Sequence, residues 1–303
     1  MKITKRKAML FTVVLLIPTV MAVTVFANES QFIANSGSGI DNSYNWAGYV
    51  ASGGTYTSIS GSWIIPQINS PIANTADTSW IGIGGVTNGD LIQTGTQAIV
   101  NAAGKVSYQA WYELLPRGSV PISVSVNPGD SITASITQQQ NNQWSILLRD
   151  NTNGQSFQKT VTYSSSLSSA EWIEEMLSAG RGRGFIPLDN FGIVQFSNAS
   201  TIKNGNTINI APAGAEKMTM ANGWQDLATP SAIGSDGSTF AVTRTNVTST
   251  PSIRHPFGRR GWQRTGIGIR GIVPSRWNNY FRVGQGSGVR SNYITYSDLT
   301  GRG

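Results

Sequence analysis

The sequence predicts an all-β domain, and three observations carry that expectation. The 303 residues include 34 Gly, with abundant Ser, Thr, Val, Ile, Asn and Trp and few helix-favouring Lys, Glu and Leu, a composition of strands and turns. Short runs of alternating character recur roughly every 8 to 14 residues between Gly/Asn/Asp clusters. No long helical crossover of the kind a parallel sheet needs is present, so an antiparallel sandwich or barrel follows.

Taken in order, residues 1–27 read as a secretory signal. Lys2, Lys5, Arg6 and Lys7 precede an uncharged apolar run from Met9 to Phe26, and Val25-Phe26-Ala27 offers small residues where a signal peptidase reads. An uncleaved membrane anchor is the competing reading, disfavoured because the run is short for a span. Residues 28–42, polar and rich in Gly and Ser, form a flexible leader. From residue 43 to 247 a single domain is expected, with strands at TYTSISGSWIIP, SWIGIGG, LIQTGTQAIV, KVSYQAWYELLP, SITASITQ, WSILLRD, SFQKTVTYSS, FGIVQFSNAS, NTINI and STFAVT. The turns TNGD, NAAG, NPGD, QNNQ and NTNG punctuate them.

Two stretches need closer reading. In KVSYQAWYELLP, alternation puts Ser107, Gln109, Trp111 and Glu113 on one face, which either lines a cleft or faces solvent. In SAEWIEEM, residues 169–176, three glutamates fall within five positions of a chain with only 15 Asp and Glu. Ser168 to Glu171 fits a capping box and Glu, Met, Leu and Ala favour helix. Read as a strand, the same segment puts Glu171, Ile173 and Glu175 on one face and Trp172, Glu174 and Met176 on the other.

Charge and chemistry narrow the function classes. The net charge of +7 divides into +4 over residues 1–28, −5 over 29–247 and +8 over 248–303, so the domain is mildly acidic and basicity lies at the ends. A nucleic-acid partner is therefore not expected. The chain has no cysteine and one histidine, His255, which excludes thiol chemistry and leaves little room for a serine–histidine mechanism. No His pair, Cys cluster or calcium-loop spacing is present, so neither a metal nor a cofactor is expected. Residues 248–303 carry nine basic residues, all Arg, and little periodicity. They read either as a basic disordered tail that binds wall or polymer, or as non-native coding sequence, and no site is placed there.

The segments NWAGY, SWIGIGG, LIQTG, WYELLP and AEWIEE, in this order, together with FGIVQF and STFAVT, resemble the glutamic peptidase family, the eqolisins, over roughly residues 43 to 246. The resemblance implies an antiparallel β-sandwich of two curved sheets with a concave substrate cleft, and makes the glutamate segment a strand. It also implies a catalytic pair, Gln93 and Glu175, with Trp80, Trp111, Glu113 and Glu171 binding substrate or supporting the pair; Glu174 is expected to be structural. Two acidic positions of the fungal members are Gly84 and Gln97 here, and their cysteines are absent.

In the mechanism the resemblance implies, Glu175 is general base and then acid, while Gln93 stabilises the oxyanion and its carbonyl orients the water. The expected protein is a secreted endopeptidase of acidic optimum, a monomer acting on polypeptides and without stable membrane association once the signal is removed. The rivals are a sandwich glycosidase using Glu113 and Glu175 and a carbohydrate-binding module stacking sugars on Trp46, Trp80 and Trp111.

Overall fold

The computed structural model describes residues 42–86, 88–179, 184–222 and 225–245, and within them every regular element is a strand. The signal, most of the leader and the Arg-rich tail with His255 lie outside the described residues. The strands are β1 (Asn42–Ser43), β2 (Trp46–Ser52), β3 (Tyr56–Ile64), β4 (Thr75–Gly84), β5 (Leu91–Val100), β6 (Val106–Leu114), β7 (Val120–Pro121) and β8 (Ser131–Gln140). Then follow β9 (Gln143–Asp150), β10 (Ser156–Thr162), β11 (Ser169–Glu175), β12 (Ile193–Lys203), β13 (Asn206–Asn209), β14 (Glu216–Ala221), β15 (Asp226–Pro230) and β16 (Phe240–Arg244).

Pairing runs β10-β9-β8-β3-β12-β16-β15-β14-β2-β11-β4-β5-β6-β7, antiparallel throughout; β13 adds to β12, and the short β1 pairs parallel with β14. β14 is the hinge of the sandwich, bonding to β15 on one side and β2 on the other. Turn chemistry sets the hairpins locally. Between β12 and β13 only Asn204 and Gly205 intervene, with φ of +51° and +80°, the left-handed pair of a tight hairpin that Asn-Gly adopts at least cost.

The two halves close on each other through large apolar side chains. Trp63, Ile59, Ile132, Trp144 and Phe196 of one half and Ile81, Ile83, Ile92 and Trp172 of the other form one buried cluster. Indole N–H groups that would be orphaned there find acceptors across the sandwich: Trp172 Nε1 donates to the Ser60 carbonyl at 2.8 Å and Trp63 Nε1 to Thr96 Oγ1 at 2.8 Å. Burying an indole removes about 150–250 Å² from water, or roughly 4–6 kcal/mol.

β8 and β9 alternate buried and half-exposed residues, as strands with one wet face do, whereas β4 and β11 are buried at every position. In β11 tertiary context overrides helical propensity. The segment lies between β2 and β4, each of its residues paired with Trp46–Ser52, so its backbone groups are used laterally. The β6 segment serves both readings of its polar face: Ser107 and Gln109 are exposed, Trp111 and Glu113 buried.

Candidate active site

Register places the polar residues of five adjacent strands, β2, β11, β4, β5 and β6, in rows across the outer face of one sheet. One row is Val50, Glu171, Gly82, Gln93 and Glu113; the next is Gly48, Ile173, Trp80, Gly95 and Trp111; the third is Trp46, Glu175, Thr78, Gln97 and Gln109. Opposed residues have Cβ atoms about 4.5–5.5 Å apart, so Gln93 faces Glu113 directly.

The middle row depends on missing side chains. A Cβ on Gly95 would lie 2.3 Å from the Ser79 carbonyl oxygen and 2.6 Å from Trp80 Cβ, so glycine lets the Trp80 indole lie between the first and third rows. Trp80 and Trp46 meet edge to face with centroids 5.0 Å apart, and both are fully buried. Trp111 is nearly so. The three rings therefore make a floor and not an exposed platform, which overturns the stacking surface a carbohydrate-binding module would need.

Over this floor opens a small pocket lined by Thr78, Gln93, Gln97, Trp111, Glu113, Ser119, Glu175, Leu177 and Ser178. Glu175 is gripped at both oxygens: Trp80 Nε1 donates to Oε2 at 2.7 Å and Asn45 Nδ2 to Oε1 at 3.0 Å. N–H donors on both oxygens suit a carboxylate anion. Asn45 is itself held by Ser43, whose hydroxyl donates to Oδ1 at 3.3 Å. Trp111 Nε1 donates to Thr78 Oγ1 at 3.1 Å, and that hydroxyl donates to the Thr96 carbonyl at 3.0 Å.

Gln93 sits opposite, its Nε2 donating to Glu113 Oε2 at 2.5 Å, while Gln93 Oε1 and Glu113 Oε1 have no protein partner. Burial, then the Glu175 charge, push the Glu113 carboxyl up to about 8 despite opposing hydrogen bonds from Gln93 and the Ser119 backbone. The two carboxyls of the pocket thus have different surroundings: Glu175 has N–H donors on both oxygens, and Glu113 is pushed toward its neutral acid.

Of the sequence-predicted residues, Gln93, Glu113, Trp111 and Glu175 line this pocket, and Trp80 binds Glu175 from beneath. Glu171 does not reach it. It shares the face with Glu175 and the row of Gln93 and Glu113, but sits two strands away from Gln93 and is fully buried, which raises its carboxyl well above the usual range. It is a buried neighbour in the pocket's first row and not part of the lining. Asn45, Thr78, Ser119, Leu177 and Ser178 were not foreseen. For Asn45 the signal existed, since it heads NWAGY.

Gly84 and Gln97 also become intelligible. Gly84 has φ of +95°, and a Cβ there would meet the Asp90 carbonyl oxygen at 2.5 Å, so this backbone excludes an aspartate. Gln97 donates to Gln109 Oε1 at 3.1 Å and gives the pocket an uncharged wall.

The opposite face of the same strands carries a second carboxyl group cluster. Glu174, Asp77 and Asp189 are buried together; Ser79 Oγ donates to Glu174 Oε2 at 2.6 Å. As anions they would leave Asp77 Oδ1, Glu174 Oε1 and both Asp189 oxygens without donors. Protonated, they bond one another, Asp77 meeting both Glu174 and Asp189. Burial pushes Glu174 to about 8, Asp189 to about 9 and Asp77 well above its ordinary value. Among the described residues no set of three His, Cys, Asp or Glu side chains is placed to hold a metal ion.

A two-sheet antiparallel β fold with a glutamine and a glutamate in one cleft defines the glutamic peptidase class. Residues 44–244 match the Peptidase A4 family, and the chain belongs to that family and is a glutamic endopeptidase. It is 28% identical to aspergillopepsin-2 of Aspergillus niger over 193 residues, covering 55% of this chain and 67% of that protein. To scytalidopepsin B of Scytalidium lignicola it is 31% identical over 180 residues, 56% of this chain and 67% of the relative. Among solved structures, scytalido-glutamic peptidase with a transition state analog inhibitor superposes with a TM-score of 0.57 at 26% identity, covering 67% of this chain and 98% of that one. Aspergilloglutamic peptidase from Aspergillus niger gives 0.50 at 28% identity, over 56% and 99%.

Proposed function

We propose that this peptidase cleaves polypeptides with Glu175 and Gln93 acting on one water, at acidic pH and outside the cell. The observation that carries the reading is the meeting of Gln93 on β5 and Glu175 on β11 in one pocket, with the Glu175 carboxylate aimed by Trp80 and Asn45. The pocket has room for a water molecule. Glu175 takes a proton from that water as it attacks the scissile carbonyl, and returns it to the leaving nitrogen. The Gln93 amide donates to the oxyanion that forms. Acidic conditions fit because the neighbouring Glu113 is then neutral and does not repel the Glu175 anion. Export is supported by the basic and apolar residues 1–27.

The test incubates the protein with casein and with β-glucan at about pH 3 to 7, beside Glu175→Gln and Gln93→Ala. Casein cleavage lost in both folded variants is expected. Glycan cleavage that survives Gln93→Ala would overturn the reading in favour of a glycosidase. For export, the processed protein is expected in the culture medium, with residues 1–27 absent by N-terminal sequencing.

A further inference from the structure

Gln93 and Glu113 stand directly opposite each other on β5 and β6, with their side chains in hydrogen-bond contact. The two ends of a glutamine amide are told apart only by their partners. With Nε2 toward Glu113, the other end is a carbonyl oxygen with no donor among the described residues, buried beside the pocket. An oxygen there would repel a developing oxyanion.

We propose that Glu113 is a positioning residue that keeps a proton and donates it to the carbonyl oxygen of Gln93, turning the amide so that its NH2 end serves the oxyanion. One carboxyl O–H then bonds one amide oxygen, and both N–H groups are free for substrate. The carbonyl's second lone pair remains for the attacking water. This rests on the Glu175/Gln93 reading and extends it.

The surroundings favour the neutral acid. The register sets Glu113 directly opposite Gln93. Among the described residues, the titratable groups acting on it are both acidic, Glu175 on β11 and Tyr163 after β10, and no described Lys or Arg lines the pocket. Burial places its titration near 8. Above that pH the carboxylate only accepts, pulls the NH2 end toward itself, and the oxyanion donor is lost.

Three measurements decide it. In the infrared difference spectrum of the folded wild type minus E113Q at about pH 5, one C=O band of a protonated carboxyl is expected, over and above the bands that the inner carboxyl cluster gives to both proteins; with its titration near 8 Glu113 is neutral there. Glu113→Ala is expected to lose about 10² in kcat with KM little changed, and E113Q, which can donate from its amide, to recover most of that loss and to move the alkaline limb of kcat upward. A missing band, or E113Q as inactive as Glu113→Ala, overturns the proposal. The band is also read in a Glu175→Gln background: proteolysis surviving there sinks the dyad reading, whereas band absence sinks the Glu113 proposal.

Discussion

Glu174 and Glu175 are adjacent in the chain and live in different chemical worlds. Glu175 turns outward to a pocket, where N–H donors bind both of its oxygens beside the raised carboxyl of Glu113. Glu174 turns inward between the sheets, where Ser79 and two other carboxyls surround it and burial keeps it protonated. Low dielectric acts on both; what differs is the supply of donors. A buried carboxyl given N–H groups can work as a base, and one given only other carboxyls becomes a proton store whose ionisation opposes folding.

The sharpest break of this comparison is Glu175→Gln, which removes the proposed base and is expected to lower kcat by about 10²–10⁴. The Glu174→Gln variant should leave casein hydrolysis at acid pH within the same decade. Equal losses in the two variants would deny that the faces differ.

Stability should follow the inner cluster. Glu174 and Asp189 titrate near 8 and 9 in the fold against ordinary values of 4.5 and 3.8, so unfolding releases their protons. Their contribution is complete below about pH 4 and is lost as pH rises through about 8 to 9. The melting temperature is expected to fall steeply over that interval, and the Asp77→Asn/Glu174→Gln double variant to flatten the slope. An unchanged slope would mean the cluster is not what titrates.

Two smaller effects sharpen the account of the pocket floor. Gly95→Ala should destabilise by about 1–3 kcal/mol, because its methyl meets the Ser79 carbonyl and Trp80, and denaturant midpoints measure this. Trp80→Phe keeps the ring but removes the N–H that aims Glu175. A loss of about tenfold in kcat with little change in melting temperature is expected, since one hydrogen bond to a charged group is worth roughly 1.5–3 kcal/mol.

Much of this was legible in the sequence. Gly/Asn turns and alternating runs announced an antiparallel fold, and the pattern in KVSYQAWYELLP sorted Trp111 and Glu113 onto the face that lines the pocket. What local pattern could not reach were the consequences of pairing. Nothing in SAEWIEEM reveals that β2 and β4 will flank it and cancel its helical preference. Asp77 and Asp189, far apart in the chain, meet Glu174 only because Ala76 bridges to Leu188. Alternation put Glu171 correctly on the face of Glu175, but period two does not say which positions of a face the neighbouring side chains cover, and Glu171 is fully buried outside the pocket's lining.

The alternation of β11 also makes the enzyme its own alignment gauge. Were this strand to slide by a single position against Trp46–Ser52, every side chain would change sides: Glu174 would emerge over the tryptophans and Glu175 would sink among the aliphatic groups. Turnover of a peptide therefore certifies that the central ribbon has locked at its proper step, and a misfolded population would reveal itself by silence before it revealed itself by shape.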